Sequence, residues 1–505
     1  MDLSLYTAGI ELILNFQTLS LITIGTLLGI LTGCLPGLTA TMGVSILVPI
    51  TYNLSPSAGI LMLVGIYLGG VYGGSISATL LNIPGTPSAI MTALDAYPLA
   101  QKGKAGYALS ISTISSAVGG LLSVFVLVLI APAIADIALE FTSYEMFAIA
   151  LFGLSIIAAI APGSMVKALM AGSIGLIIST VGADPITAEP RFIFGNMYLY
   201  GGIQFIAAMV GLYGVTEIIL NCENSFKRTT SQDAEVMKLK HKTYLPSWLD
   251  IKRIYPNICR SSFIGVIIGA IPGAGGTIAS IVAYGAQKKI TNSPEDMGNG
   301  SIEGIAASES SNNACTGGAM ITLLSLGIPG DAVTAILIGA FMIHGLQPGP
   351  LLFQNNIDLV SAIFLGMVVV NVLLLFIGLY GARYFAKLLS VPGEILNATI
   401  IAFCFVGSFA IQNSFFDIKI MLAFSALGYL MVKAGMPRAP IVLALILGPL
   451  MESNLRRAIS LHQNDIGAFL YGFLEHPIAA AVLALTVLTF SLPLLPKSNA
   501  LRKES

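Results

Sequence analysis

Charged side chains are scarce in this sequence, since Asp, Glu, Lys and Arg together make up 10% of its 505 residues. Soluble domains carry roughly a quarter, so this chain could not cover a water-facing surface of its size. Some stretches contain no Asp, Glu, Lys, Arg or His at all: residues 12–94, 105–135, 359–382 and 477–496. A spanning helix needs about 20 mostly apolar residues, and the first stretch alone has room for three passes.

Period-two alternation of apolar and polar residues is also missing, which argues against a membrane β-barrel. Backbone polar groups cannot face lipid unpaired, so the apolar stretches are predicted to be helices. The 53 glycines favour close helix packing through small residues. We predict an all-α polytopic protein of the lipid bilayer with about 12 transmembrane helices, besides shorter re-entrant pieces.

Sequence signals for nucleic-acid binding, enzymatic catalysis or ATP hydrolysis are absent as well. The net charge of −1 gives no reason to expect nucleic acid as a partner. No GxSxG, HExxH or Walker A sequence occurs, and the glycine-rich Gly273–Gly276 lacks the P-loop lysine. We therefore expect neither an enzyme nor ATP-driven transport, and no cofactor. Five cysteines are scattered without metal spacing and favour plain packing roles: Cys34, Cys222, Cys259, Cys315 and Cys404.

Residues 222–260 form the clearest polar interruption and divide the chain. We predict an N-terminal transmembrane repeat over 1–221, a cytoplasmic basic linker over 222–260, a C-terminal repeat over 261–455, and an extra helix with a cytoplasmic tail over 456–505. The linker is assigned to the cytoplasm by the positive-inside rule. No removable signal peptide is expected from the first residues. Eight of the 24 Lys and Arg residues lie in the linker: Lys227, Arg228, Lys238, Lys240, Lys242, Lys252, Arg253 and Arg260.

The two halves share a spaced pattern of glycine, proline and threonine. Four features recur 236 residues later: Gly29/Gly265, Gly33/Gly269, Pro36-Gly37/Pro272-Gly273 and Thr41/Thr277. A longer motif, GGSISATLLNIPG from Gly73, recurs as GGAMITLLSLGIPG from Gly317 with one inserted residue. Gly and Pro are common in this chain, but two matches in the same order at nearly the same offset favour duplication over coincidence.

Basic residues suggest that the repeats are inverted. Lys102 and Lys104 follow the first IPG, whereas the matching loop at 347–349 carries no Lys or Arg. Conversely, Lys288 and Lys289 in the second half match the uncharged residues 52–53 in the first. Twin loops on opposite faces of the membrane would differ in this way, because only cytoplasmic loops accumulate basic residues. Inverted repeats are a frequent plan for secondary transporters.

Each Pro-Gly pair is expected to break its helix, because proline removes a backbone donor and glycine permits unusual conformations. The freed groups need partners at membrane depth, and unwound carbonyls can hold a cation. A proline kink without ligand is the alternative, but four breaks in matched pairs favour a binding site. The predicted ion-binding positions, for Na⁺ or H⁺, lie at the breaks: Gly37, Pro84, Gly85, Gly273, Thr277, Pro329 and Gly330.

Three polar clusters flank the breaks and offer neutral donors and acceptors for a substrate. They occupy residues 39–41, 82–88 and 308–313; the third could instead be a plain loop. Four acids, Glu303, Glu309, Asp331 and Asp95, are candidate cation or proton sites, or else helix-end caps. His344 is expected to be structural. The predicted substrate-binding residues are Thr39, Thr41, Asn82, Thr86, Ser88, Ser310, Ser311, Asn312 and Asn313.

Four segments together resemble one transporter family. They read PGLTAT from Pro36, YGGSISATLLNIPGTPSAIMTALDAYPLAQKGKAGYAL from Tyr72, IPGAGGTIAS from Ile271 and GIAASESSNNACTGGAMITLLSLGIPGDAVTAILIGAFMIHGLQPGPLLF from Gly304. Over roughly residues 17–450, the chain resembles the large membrane subunit of tripartite tricarboxylate transporters, the TctA family.

The resemblance implies a permease of the bacterial inner (plasma) membrane that imports a carboxylate. It implies two partners, a small four-helix membrane subunit and a periplasmic solute-binding protein. The energy source would be an ion gradient, usually sodium. The family is similar in plan to TRAP transporters, whose helical hairpins carry substrate in an elevator movement. An intramembrane enzyme, a channel or a stand-alone carrier remains the alternative.

The sequence departs from the family pattern beside the predicted site. The family typically has Pro-Glu-Ser-Ala-Asn-Asn at 308–313, where this chain has Ser308 and Ser311. It has Asp-Gly-Tyr-Pro at 95–98, where this chain has Ala96, and Glu-Lys where this chain has Gln287 before Lys288. The family usually reads Leu-Gly-Pro after Pro36-Gly37, where this chain does not. These positions bear on which carboxylate is carried.

Overall fold

The computed structural model describes residues 3–35, 38–160, 164–227, 245–388, 393–463 and 465–491. Pro36, Gly37, most of the basic linker and the basic tail lie outside the described residues. The helices, in chain order, are α1 (Leu3–Leu14), α2 (Phe16–Cys34), α3 (Ala40–Thr51), α4 (Pro56–Leu81), α5 (Ile90–Leu99), α6 (Ala105–Ala138), α7 (Ser143–Ile160), α8 (Met165–Ser179), α9 (Phe205–Met209), α10 (Thr216–Lys227), α11 (Trp248–Gly269), α12 (Gly275–Ile290), α13 (Ile302–Leu326), α14 (Ala332–Ile343), α15 (Pro350–Asn355), α16 (Ile357–Leu388), α17 (Gly393–Ala410), α18 (Phe415–Lys433), α19 (Ala439–Leu461), α20 (Ile466–Gly472) and α21 (Pro477–Ser491).

The described chain is helical, with a single two-stranded antiparallel pairing of β1 (Gly182–Ala183) and β2 (Pro190–Arg191). Seven segments of it are long and apolar enough to cross a membrane, or eight if α20 and α21, bent by 97°, form one broken span. An all-α polytopic membrane protein is therefore confirmed. The number of about 12 spans stays a prediction, because several apolar runs form helices of only 10–17 residues.

The chain divides into two compact units. Unit 1 comprises residues 1–139 and 204–430, and unit 2 comprises residues 140–203 and 431–505. The units are defined by spatial contacts and do not coincide with the two repeats predicted from the sequence. The repeat boundaries given above therefore stay a prediction. Unit 1 contains every site residue predicted from the sequence.

The repeat is visible in unit 1 as two helix crossings built in the same way. Helix α2 crosses α4, and α11 crosses α13, at glycines where a Cβ would overlap a carbonyl oxygen of the partner helix. The glycines of the second crossing lie 236 residues after those of the first (265 − 29), and the residues whose carbonyls they approach lie 245 residues after (311 − 66). The same backbone contact, which only small residues permit, is thus made twice. The glycine–carbonyl contacts are Gly29–Ile66, Gly33–Gly70, Gly265–Ser311 and Gly269–Cys315.

The two IPG motifs also adopt the same structure. The residue that follows α4 is Asn82, with φ 56°, and the residue that follows α13 is Gly327, with φ 70°. This left-handed conformation stops a helix and reverses the chain. Each chain then returns beside its own helix pair: a Cβ on Gly85 would overlap the carbonyl oxygen of Gly33, and Gly330 approaches α11 in the same manner. Both long helices therefore end in a hairpin with a shorter helix, α5 or α14.

Substituting Gly269 tests this packing. A Cβ there would overlap the carbonyl oxygen of Cys315, whereas a Cβ on Gly285 of α12 would meet no atom within 4 Å. We expect Gly269→Ala to lower the free energy of unfolding by about 1–3 kcal/mol through overpacking. Gly285→Ala is expected to raise it by up to about 1 kcal/mol through helix propensity. Unfolding in denaturant followed by circular dichroism measures both, and equal stabilities would contradict the crossing.

Unit 2 packs α19 against α7 and α8, and a charged network supports the segment that follows α8. Arg191 Nη1 donates to Glu452 Oε1 at 2.6 Å, and Arg456 Nη1 donates to Asp184 Oδ2 at 2.7 Å. Asp184 Oδ1 also accepts the backbone N–H of Ile186 and of Thr187. The turn that joins β1 and β2 is thereby tied to α19.

The turn between β1 and β2, which Asp184 holds, is expected to be sensitive to acid. Hydrogen bonds from the backbone of Thr187 and Ile186, and then the charges of Arg456 and Arg191, lower the pKa of Asp184 from 3.8 to about 2. Because the pKa of Asp184 is lower in the folded protein, its carboxylate stabilises the folded turn at pH values above about 4. This stabilisation is lost as pH falls from about 4 through about 2. Hydrogen exchange at Ile186 and Thr187, corrected for intrinsic rates, should lose protection in that window. Asp184→Asn should abolish the transition; unchanged protection down to pH 2 would contradict it.

Candidate functional site

Two breaks between helices, one before α5 and one before α12, meet in unit 1 beside the middle of α13. Gly276, in the first turn of α12, lies so close to Asn312 that a Cβ would overlap its Oδ1 and come within 3.4 Å of the Cβ of Ser88. Ser88 belongs to a short 3₁₀ turn before α5, and its hydroxyl lies 3.1 Å from that of Thr86. We call Thr86, Ser88, Gly276 and Asn312 the Ser88–Asn312 site.

This site offers hydrogen-bonding groups without a full charge. Its side chains are two hydroxyls and one amide, and the Nδ2 of Asn312 lies 3.4 Å from the carbonyl oxygen of Val71. Helix α12 starts here without a side-chain cap. Uncapped helix starts present free N–H groups and a partial positive charge, which attract anions such as carboxylates.

A related polar pair occupies the equivalent place in the other half. Tyr67 donates to Asp331 Oδ2 at 2.6 Å, and Asp331 Oδ1 caps α14 by accepting the N–H of Thr334 at 2.8 Å. Tyr67 lies 245 residues before Asn312 (312 − 67), and Thr86 lies 245 before Asp331 (331 − 86). The 245-residue offset thus relates the bonded pair Tyr67 and Asp331 to Asn312 and Thr86 of the Ser88–Asn312 site. In the second half this carboxylate is already bound within the protein.

Glu309 is a fully buried carboxylate one turn of α13 before Asn312. Thr92 donates to its Oε1 at 2.5 Å and Ser116 to its Oε2 at 2.8 Å. The hydroxyl of Ser308 lies 3.0 Å from that of Thr92. No Lys, Arg or His of the described chain contacts the carboxylate. We call Glu309, Thr92, Ser116 and Ser308 the Glu309 cluster.

The other candidate acids have structural partners. Asp95 Oδ1 accepts three backbone N–H groups, of Gly298, Gly300 and Ser301, at 2.8–3.0 Å. Its Oδ2 accepts the hydroxyl of Tyr284 at 2.8 Å. Such a carboxylate anchors a turn. Glu303 forms a salt bridge with Arg253 at 2.6 Å. Among the four acids, Glu309 differs because its partners are hydroxyls alone.

The polar run 308–313 lies inside α13, which excludes the alternative of a plain loop. Successive helical residues point about 100° apart, so the run is distributed over several neighbours. Ser310 Oγ donates to the carbonyl of Ala306 at 2.6 Å, and Ser311 Oγ to that of Ala307 at 2.8 Å. Asn313 Nδ2 donates to the carbonyl of Glu309 at 3.1 Å. Of these predicted substrate residues, Asn312 is the one that the structure brings to Ser88.

Three further predicted residues lie apart from that pair. Thr39 caps α3 by accepting the N–H of Met42 at 3.2 Å, and Thr41 is half-buried in the first turn of α3. Asn82 is exposed at the end of α4. No hydrogen bond in the described part of the chain joins any of the three to Ser88 or Asn312. Their binding roles stay predictions.

The predicted ion-binding positions do lie at chain breaks where the structure describes them. Gly273 donates its N–H to the carbonyl of Gly330 at 2.7 Å, which joins two of the breaks. Pro84 and Gly85, and likewise Pro329, lie in the IPG turns between helices. Thr277 is in the first turn of α12, and Gly37 lies outside the described residues. Ion binding at these positions stays a prediction.

Sequence reasoning missed Thr92, Ser116, Tyr67 and Gly276. Thr92 and Ser116 are hydroxyls on two helices far from residue 309 in sequence, and nothing in the sequence links them to Glu309. Gly276 offered a signal, since it belongs to the glycine-rich stretch after Pro272. It lies close to both Ser88 and Asn312 because it has no side chain.

Comparisons with known proteins match the chain to one family model and to two relatives. The family model described as "Tripartite tricarboxylate transporter TctA family" matches residues 19–443. The "Uncharacterized 52.8 kDa protein in TAR-I ttuC' 3'region" of Agrobacterium vitis is 37% identical over 482 residues, which cover 95% of this chain and 93% of that protein. The "Uncharacterized protein in TAR-II ttuC' 3'region" of the same organism is 35% identical over 240 residues, 48% of this chain and 98% of that protein. No solved structure matches the chain.

Proposed function

The chain belongs to the tripartite tricarboxylate transporter TctA family, and from this membership we propose that it is the ion-coupled permease subunit that imports tricarboxylates or related carboxylates. It works in the bacterial inner membrane with a small four-helix membrane subunit. A periplasmic binding protein delivers the substrate. The chain itself carries out no chemical reaction on the substrate.

The Ser88–Asn312 site is the observation that carries this proposal. An uncapped helix start and an uncharged polar lining at a break in the membrane helices suit the carboxylates of a substrate. A fixed positive charge would hold an anion tightly, whereas neutral donors bind it and can release it. Transport requires both steps.

The direction of the equivalent helices supports an inverted repeat and an elevator movement. Leu80, at the end of α4, packs in one cluster with Ala105. Ile305, at the start of α13, packs in a cluster with Leu99 and Ala108. The end of α4 and the start of α13 therefore lie towards the same end of unit 1, and the two equivalent helices run in opposite directions. Under the elevator proposal, the hairpins that follow them carry the substrate.

Basic residues support the orientation in the membrane. Lys102 donates to the carbonyl oxygen of Asn299 at 2.7 Å, which joins the turn after α5 to the loop before α13. Lys288 and Lys289 end α12 at this same end, where Gln287 bonds to Glu303. Following the positive-inside rule, we assign this end, together with the linker and the C-terminal tail, to the cytoplasm.

Glu309 supports coupling to a cation. A buried carboxylate without a positive partner is costly as an anion in a membrane protein. A proton on the carboxyl group, or Na⁺ held by the carboxylate with the hydroxyls of Thr92 and Ser116, would remove this cost. Sodium is the ion that the family resemblance implies. Because the cluster is one turn from Asn312, its charge state is coupled to the substrate site.

Reconstitution tests the proposed function. The complex of this chain, its small subunit and its binding protein, placed in proteoliposomes, should accumulate a labelled di- or tricarboxylate against its gradient. Sodium and pH gradients are applied separately to identify the coupling ion. Accumulation that ignores both gradients would overturn the coupling, and equal flux without the binding protein would indicate a channel or a stand-alone carrier.

A further inference from the structure

A pocket of about 560 Å³ opens between α11, α12 and the start of α13, away from the Ser88–Asn312 site. Two arginines of α11, Arg253 and Arg260, line it together with polar residues of α12 and the following loop. Its polar lining includes Asn257, Gln287 and Thr291. The pocket has no part in the function proposed above.

The pocket carries an uncompensated positive charge. Arg253 Nε donates to Glu303 Oε1 at 2.6 Å, and these two charges cancel. Arg260 instead donates to two neutral amide oxygens, those of Asn257 and Gln287. Its Nε is buried and has no hydrogen-bond partner among the described residues. A guanidinium without an acidic partner favours an anion with oxygen acceptors, because charge-assisted hydrogen bonds are about twice as strong as neutral ones.

The depth of Arg260 agrees with the phosphate level of a bilayer. The break begins at Ala270, ten positions after Arg260, which is a distance of about 15 Å along a helix. The hydrocarbon core is about 30 Å thick. If the break lies at the midplane, as the proposed function requires, Arg260 lies at the boundary between hydrocarbon and headgroups.

The surface below the pocket is apolar and exposed. Phe263 and Ile267 on α11 are 61% and 48% exposed, and Ile281 on α12 is 48% exposed. On the other side of Arg260, towards the start of α11, Tyr255 is exposed, as is usual for aromatic residues at a membrane interface. A ligand with a polar anionic head and apolar chains matches this order of side chains.

We propose that this pocket binds the phosphate of an anionic phospholipid of the cytoplasmic leaflet, and that the acyl chains lie along Phe263, Ile267 and Ile281. The assignment of leaflet and depth rests on the proposed membrane orientation. Arg260 contacts the phosphate, while the salt bridge to Glu303 positions Arg253 at the rim. Basic pockets between membrane helices recognise anionic headgroups in this way.

Lipid binding to the purified full chain in detergent tests the proposal by native mass spectrometry. The probes are dioctanoyl phosphatidylglycerol and dioctanoyl phosphatidylcholine, which have equal chains and differ in net charge. We expect phosphatidylglycerol to bind about tenfold more tightly, equivalent to one charge-assisted contact of about 1.4 kcal/mol. Arg260→Gln should remove this preference. Arg457→Gln, the same change at an exposed arginine of α19, should retain it.

Two controls keep the result interpretable. Circular dichroism of both variants verifies that the fold persists, and Arg260→Lys, which keeps the charge, should preserve part of the preference. An unchanged preference in Arg260→Gln would overturn the proposal. So would displacement of phosphatidylglycerol by equal concentrations of citrate or inorganic phosphate, since the pocket would then be a soluble-anion site. Because the assay needs no transport, a failure of the proposed permease function would not alter it.

Discussion

Replacing Glu309 by Gln is expected to abolish uphill accumulation of carboxylate in the reconstituted complex while exchange of carboxylate across the membrane continues. Gradient-driven uptake should fall by roughly a hundredfold, near the upper end of the coupling seen between linked binding sites. Glutamine has nearly the same shape as glutamate, so α13 should keep its packing. It cannot change its charge, and a carrier whose coupling group is permanently neutral has nothing to link cation and substrate.

The hydrogen bonds around Glu309 explain why exchange should survive. Thr92 donates to one carboxylate oxygen and Ser116 to the other. In the glutamine variant the amide oxygen accepts from Thr92, and the amide nitrogen donates to the hydroxyl of Ser116 after that hydroxyl rotates. The variant therefore mimics the neutral, cation-loaded state. In that state the carrier can move substrate in either direction, but an ion gradient cannot drive accumulation.

Glu303→Gln provides the matched control. It is the same substitution on the same helix, but Glu303 is held by Arg253 at 2.6 Å, so its charge is already balanced. We expect normal accumulation with a modest loss of stability. Normal accumulation in Glu309→Gln under both sodium and pH gradients would contradict the coupling role. Loss of exchange in a folded Glu309→Gln protein would assign the residue to the substrate site.

Much of the architecture could be predicted because it depends on local properties. The absence of charge over residues 12–94 excludes a water-facing surface, and the matched IPG motifs do terminate equivalent helices. The number of spans could not be predicted in the same way. Helices such as α3 and α14 have the composition of a span but only 12 residues each. Where a short apolar helix ends depends on the tertiary packing of the breaks.

The site could be predicted only in part because a sequence lists polar residues without their directions. Asn312 and Asn313 are adjacent, equally buried amides, yet one lies beside Gly276 and the other donates to its own helix. Their separation follows from the helical rotation and from the contacts of α13 with several neighbouring helices. Thr92 and Ser116 meet Glu309 across sequence separations of 217 and 193 residues. No local pattern encodes such pairs.

That adjacency makes Asn312→Ala and Asn313→Ala a matched pair. Both substitutions remove the same amide from a 1% exposed position of one helix, so the packing losses should be similar. Asn312→Ala should raise the carboxylate concentration for half-maximal exchange by about 10–150-fold, because a hydrogen bond to a charged group contributes about 1.5–3 kcal/mol. Asn313→Ala should change this concentration by less than about threefold, because the amide of Asn313 donates to the carbonyl of Glu309 within α13. Loss of that hydrogen bond should lower stability by about 0.5–1.5 kcal/mol.

Exchange should be measured against the carboxylate concentration inside the proteoliposomes, where no binding protein sets the apparent affinity. Equal effects of the two substitutions would mean that packing of α13, and not an amide aimed at substrate, controls exchange. A larger effect of Asn313→Ala would move the substrate contact to the face of α13 that carries Glu309. The expected order, with Asn312 far ahead, requires substrate to lie between Gly276, Ser88 and Asn312. At that position the substrate would bridge two elements, the hairpin that leads to α5 and the broken helix pair α11 and α12.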